Sequence, residues 1–152
     1  MELDTEFEKA TKLLQSIGFF DDFNDDGISE ILTVGELKRF DSHDHITREG
    51  AQSNNLYIIL KGKVSIVKDI DRYSQKELVA ISAGECIGEI AFLLDGHRTT
   101  NLIAETETFL LKINGEKIEH LSCGTQLNLY KKISISLAQK LKNNNQLFTG
   151  LL

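Results

Sequence analysis

The chain has 152 residues, 41% hydrophobic and 26% charged, ordinary values for one soluble globular unit able to bury its own core. Its 17 Lys and Arg against 23 Asp and Glu give a net charge of -6, which argues against a DNA or RNA surface, because neutralising phosphates needs clustered basic groups. No apolar run approaches the ~18 residues of a membrane span, the acidic Met1-Glu2-Leu3-Asp4 start is unlike a secretory signal, and the distant Cys86 and Cys123 read as reduced thiols of a cytoplasmic protein.

Phe7, Ala10, Leu13, Leu14 and Ile17 recur at helical spacing, with Thr5 and Glu8 at capping-box spacing, and Gly18 ends the run. A second short helix is predicted from about Ser29 through Ile31 and Leu32. Before it, Asp22, Asn24, Asp26 and Gly27 match the opening of a calcium loop, but Thr33 stands where a bidentate glutamate is needed. A helix-capping turn explains the run more simply.

From about Leu37 the period changes. Leu56 to Leu60 and Val64 to Val67 read as strands, with Lys61-Gly62-Lys63 as a tight hairpin connection between them. Further strands are predicted over 78–81, 101–104 and 109–113. Many short strands with no long helix between them suggest an antiparallel roll or barrel. Ile118 and Leu121 mark a short helix closed by Gly124. The last helix is expected to carry an apolar stripe of Leu127, Tyr130, Ile133, Leu137 and Leu141, with Lys131, Lys132, Lys140 and Lys142 on a solvated face. The predicted organisation is a single domain over 1–152: helices over 1–36, a β-roll over 37–114, and helices over 115–152.

The segment 84–100 carries the chemistry. A strand ends at Ile87, Gly88 lets a ligand approach the backbone, and a turn or two of helix follows until Asp95-Gly96 stops it. The free N–H groups at the start of such a turn attract an anion. Arg98 can close over the same anion with a bidentate fork, and Glu89 stands where a carboxylate can accept from a sugar hydroxyl. Taken singly, a surface salt-bridge arginine and a helix N-terminal carboxylate explain the same two residues.

Gly88-Glu89-Ile90-Ala91 followed by Arg98-Thr99-Thr100 resembles the phosphate-binding cassette of the cyclic-nucleotide-binding domain family, the sensor domains of catabolite activator protein and kinase regulatory subunits. Phe19 to Phe40 is similar to the family's opening helices. Ile46-Thr47-Arg48-Glu49-Gly50 with Leu56 to Val64 resembles its first long hairpin. The resemblance implies an α+β, mainly β fold: an antiparallel β-roll (a double-stranded β-helix, jelly-roll-like) flanked by N-terminal helices and a C-terminal helical lid. It implies that the amides around Ile90 and Ala91, with the Arg98 guanidinium, hold the cyclic phosphate of cAMP or cGMP, and that Ile87 and Gly88 are also ligand-binding residues. Glu89 then takes the ribose 2′-hydroxyl, and Thr99 and Thr100 lie beside the phosphate and base. His97 replaces the proline often found before the arginine, so that loop is expected to be less rigid. Asn144 and Asn145, past Ala138-x-x-Leu141, continue the helix face toward the base, with Phe148 beyond them; fraying of the helix end is the competing explanation.

The expected function is therefore a ligand sensor with no catalytic residues, no metal and no cofactor, its signal carried by the C-terminal helix. Because the sequence stops at Leu152 without a helix-turn-helix, a protein partner in trans is expected, with a homodimer through the C-terminal helix as a further expectation. A different class is a metal-dependent cupin enzyme using His43, His45 and Glu49, whose H-x-H-x₃-E spacing suits a divalent metal. That site needs another histidine near 84–91, where none occurs, and surface histidines explain the pair better. A ligand-free interaction module is the third reading.

Overall fold

The computed structural model of the chain describes residues 2–94 and 96–147, without the side chains of 2–4 and 144–147. Helix α1 (Glu2–Gln15) leads into a 3-10 turn (Gly18–Phe20) and helix α2 (Asp25–Val34). Thr5 lies inside α1, which begins earlier than the capping-box spacing predicts. Asn24 caps α2, its Oδ1 accepting from the Gly27 N–H at 2.7 Å, and Asp25 and Asp26 meet the positive end of the helix dipole. The acidic run is thus a cap, and it starts α2 before the predicted Ser29. Phe19, Phe20 and Phe23 pack edge to face beneath it, with ring centroids 5.0 and 5.3 Å apart.

Ten strands follow among the described residues: β1 (Glu36–Phe40), β2 (His45–Thr47), β3 (Gln52–Ser53), β4 (Asn55–Lys61), β5 (Lys63–Asp69), β6 (Gln75–Ser82), β7 (Cys86–Ile87), β8 (Gly96–His97), β9 (Asn101–Ala104) and β10 (Thr108–Asn114). Helix α3 (Glu89–Leu94) sits between β7 and β8; a 3-10 turn (Gly115–His120) and helix α4 (Cys123–Leu147) complete the described chain. One four-stranded sheet has the order β1-β10-β4-β7, another β2-β9-β5-β6, and β3 with β8 forms a two-stranded ribbon. All pairings are antiparallel. The mainly β roll expected from the sequence is the fold.

Strand β4 explains why Leu56 to Leu60 is apolar without alternation. Tyr57 and Ile59 point between the sheets, joining Val64, Ile81, Ile87, Leu102 and Leu110. Leu56, Ile58 and Leu60 point the other way, against Leu14, Ile28, Ile31, Leu129 and Ile133 of the helices. Both faces are buried, so both must be apolar. Ile58 is fully buried, and Ile58→Ala would cost about 2–5 kcal/mol in lost transfer energy and cavity.

Two expectations are corrected here. Lys61-Gly62-Lys63 does not join a hairpin: β4 pairs with β10 and β7, whereas β5 pairs with β6 and β9. Gly62, at φ 103°, turns the chain from one sheet to the other, and a Cβ there would lie 2.9 Å from the Thr108 Cα. The second concerns α4. Gly124 does not close the preceding turn but lies in the first turn of α4. Glu30 accepts from the Ser122 N–H at 2.6 Å and from the Ser122 and Thr125 hydroxyls, tying α2 to that helix start. The docked face of α4 runs through Thr125, Leu129 and Ile133, while Leu127 and Leu141 are 69% and 56% exposed. Of the predicted stripe, Ile133 is in the core and Leu137 packs against it, whereas Leu127 and Leu141 face outward and Leu129 takes the inner row, because i, i+4 spacing alone does not say which of two neighbouring rows meets the core. Among the described residues no helix is long and apolar enough to cross a membrane.

Candidate functional site

Between α3, β6 and the end of α4 lies a cavity of about 510 Å³. Ile87, Gly88, Glu89, Ile90, Ala91, Arg98, Thr99 and Thr100 all line it, so the structure gathers these sequence-predicted residues around one space. Leu78 and Val79 of β6, each about half exposed, and Ile90 give it apolar lips. The size falls within the roughly 300–1,000 Å³ usual for small-molecule sites.

The floor is built by Gly88, at φ 92°. A Cβ there would fall on the Arg98 guanidinium and 2.8 Å from the Asn55 carbonyl oxygen, so only glycine allows both the left-handed turn and this close approach. Helix α3 starts directly after it. The Phe92 N–H bonds back to the Gly88 carbonyl at 2.9 Å, which leaves the amides of 89–91 as the orphan donors of the first turn. Asp95, expected to end this turn, lies outside the described residues; Gly96 continues into β8.

Arg98 is 7% exposed. Its Nη2 donates to the Asn55 carbonyl at 2.5 Å, its guanidinium lies 5.1 Å from the Tyr57 ring centroid, and its Nε is buried without a partner among the described residues. Burial pulls its pKa below the usual arginine value, opposed by Tyr57 and Glu89. A buried guanidinium with unused donors is a ready receptor for an anion.

The arginine's loop, which has no proline, is tied by several hydrogen bonds. His97 pairs with Gln52 across the ribbon, the Gly50 N–H donates to the Arg98 carbonyl, and the Arg98 N–H donates to the Ala51 carbonyl, both at 2.8 Å. Lys68 donates to the Thr99 carbonyl at 2.8 Å while paired with Glu49 at 2.7 Å. These hydrogen bonds tie the arginine's segment to β3, β5 and the turn before β3.

Glu89 is 4% exposed and engaged from below and from α4. Lys140 donates to its Oε1 at 2.5 Å, Ser136 Oγ at 2.9 Å and Cys86 Sγ at 3.4 Å. Sequence reasoning placed Lys140 on a solvated face, yet it reaches the cavity wall and also donates to the Cys86 carbonyl. Ser136 and Asn143 were likewise missed as site residues. Their signal was the spacing Leu129, Ile133, Ser136, Lys140, which carries the docked face onward in polar residues. Beneath them, burial first and the nearby Glu89 second push the Cys86 thiol up to about 12. The side chains of Asn144 and Asn145, and all of Phe148, lie outside the described residues.

The cupin constellation does not assemble. His43 is exposed at φ 75°, His45 lies in β2, and the Glu49 carboxylate is taken by Lys68 and the Asp69 N–H. Lys68 and that amide hold its pKa below the ordinary glutamate value. Among the described residues no group of three His, Cys, Asp or Glu side chains could hold a metal ion.

Residues 37–122, more than half of the chain, match the family described as Cyclic nucleotide-binding domain. The chain is 27% identical over 125 residues to human cGMP-dependent protein kinase 2, a match covering 82% of this chain but only 16% of that kinase. Among solved structures, a cyclic nucleotide-binding domain from Methylobacillus flagellatus superposes with a TM-score of 0.78 at 18% identity, covering 94% of this chain and 82% of that one. The catabolite activator protein of Thermus thermophilus gives 0.73 at 20% identity, covering 86% of this chain and 61% of that one.

Proposed function

The chain belongs to the cyclic nucleotide-binding domain family, and we propose that it acts as a single sensor unit binding a cyclic nucleotide monophosphate, cAMP or cGMP, in the cavity beside α3. The observation that carries this reading is Arg98, buried with an Nε that has no partner among the described residues, on the wall of a cavity that Glu89 also lines.

The cyclic phosphate sits on the amides of Ile90 and Ala91 above the floor of Ile87 and Gly88. Arg98 turns from the neutral Asn55 carbonyl to form a charge-assisted fork with it. Glu89 accepts from the ribose 2′-hydroxyl, which favours ribonucleotides. Thr99 and Thr100 flank the phosphate and base, and Leu78, Val79 and Ile90 cover the base's apolar faces. Nothing in this arrangement breaks a bond of the ligand: binding is the function, with no catalytic residue, metal or cofactor. Occupancy biases the position of α4, through which a protein partner in the cytoplasm reads the signal.

The test is thermal unfolding with cAMP, cGMP and their non-cyclic monophosphates. A ligand at about a hundred times its Kd stabilises by ~2.7 kcal/mol, a rise of about 5–11 °C for a protein of this size. Arg98→Ala, folded, is expected to lose about 2–5 kcal/mol of binding, some thirty- to several-thousand-fold. No shift with either cyclic nucleotide, or equal shifts in wild type and Arg98→Ala, would overturn the reading.

A further inference from the structure

The hydrogen bonds that Glu89 accepts are unevenly divided. Lys140 Nζ, Ser136 Oγ and Cys86 Sγ all donate to Oε1; Oε2 accepts none among the described residues, although Glu89 lines the cavity. A carboxylate has about four lone-pair sites over its two oxygens, so one oxygen is committed to α4 while the other stays available. Lys140 is itself fixed by a second bond, to the Cys86 carbonyl at 2.8 Å.

We propose that Lys140 and Ser136 are positioning residues of the nucleotide site, holding Glu89 by one oxygen so that the other meets the ribose 2′-hydroxyl. This rests on the nucleotide-binding reading above. Two physical consequences follow. The ammonium offsets the desolvation of a carboxylate that is only 4% exposed, and the fixed rotamer removes an ordering cost from ligand binding. Because the tether comes from α4, ligand recognition and α4 docking stabilise each other, and by linkage the effect is reciprocal. The opposite arrangement, in which Lys140 competes with the ribose for Glu89, predicts that its loss tightens binding.

Titrations of the full chain with the tighter-binding of cAMP and cGMP, and with its 2′-deoxy form, separate these cases in wild type, Lys140→Met, Lys140→Arg and Ser136→Ala. Lys140→Met is expected to lose about 5- to 150-fold in affinity for the ribonucleotide, with much less loss for the deoxy form. Lys140→Arg should recover part of the ratio. Ser136→Ala, which keeps the ion pair and so guards against a misfolded Lys140 variant, should show a smaller fall in the same direction. In wild type the nucleotide should slow amide exchange across 136–143, and Lys140→Met should abolish that protection. Unchanged or tighter ribonucleotide binding by Lys140→Met, or equal losses for the ribo and deoxy ligands, overturns this inference alone. Failure of the wild type to bind either cyclic nucleotide overturns the reading and the inference together.

Discussion

Substituting Gly88 by alanine probes the site's floor at a residue that has no side chain of its own, through the close approach of Arg98. At φ 92° an alanine accepts left-handed backbone strain of about 1–2 kcal/mol. Its Cβ would meet the Arg98 guanidinium and lie 2.8 Å from the backbone oxygen of Asn55, so the 2.5 Å bond between them must open. A hydrogen bond to a charged group contributes about 1.5–3 kcal/mol, for a total near 2.5–5 kcal/mol. Swinging the guanidinium into the cavity returns part of its hydration, which favours the lower end, about 2.5 kcal/mol. For a chain of this length that is a fall in Tm of about 5–10 °C, readable by circular dichroism or calorimetry. Gly124→Ala is the control: it lies in the first turn of α4 with nothing within 4 Å of an added Cβ, and should leave Tm unchanged or raise it. A Gly88→Ala protein melting within about 2 °C of wild type would refute the close approach as described.

Glu89→Gln should erode the preference for the ribonucleotide over its 2′-deoxy form by about 1.5–3 kcal/mol, measured by titration; an unchanged ratio assigns Glu89 a structural role. Deleting residues after Asn143 removes Asn144, Asn145 and Phe148 while sparing Lys140, and should weaken nucleotide binding in a folded protein if the helix end contacts the base; equal affinity removes these residues from the site. At pH 8 a thiol reagent should label exposed Cys123 and spare Cys86 until the protein unfolds, since burial pushes the Cys86 thiol up to about 12. Because that thiol keeps its proton in the folded chain above the ordinary value of 9.0, its contribution to stability is intact below about pH 9 and is lost as pH rises toward 12. Cys86→Ser should flatten that alkaline loss.

The grouping of Gly88, Glu89 and Arg98 around one cavity was legible in the sequence because it is set locally. Gly88 must be glycine for its turn, α3 must begin where Glu89 and Ile90 stand, and Arg98 follows at the distance that a short helix and ribbon strand span. The strands over 101–104 and 109–113 were legible for the same reason, as short runs of apolar, β-prone residues that are neighbours in the chain. What the sequence could not decide is which distant groups share a wall. Nothing in Lys61-Gly62-Lys63 distinguishes a hairpin from a crossing between sheets; the partners of β4 and β5 lie in β10, β7, β9 and β6, far along the chain. Helical spacing in α4 offered two adjacent rows, and docking against β4, β10 and α2 kept Ile133 but selected Leu129 over Leu127 and left Leu141 outside. That choice of face carries Lys140 to Glu89 across 51 residues of sequence. Local periodicity and turn chemistry are properties of adjacent residues and survive in the sequence; the pairing of a buried carboxylate with a particular lysine is set by packing, which exists only once the chain has folded.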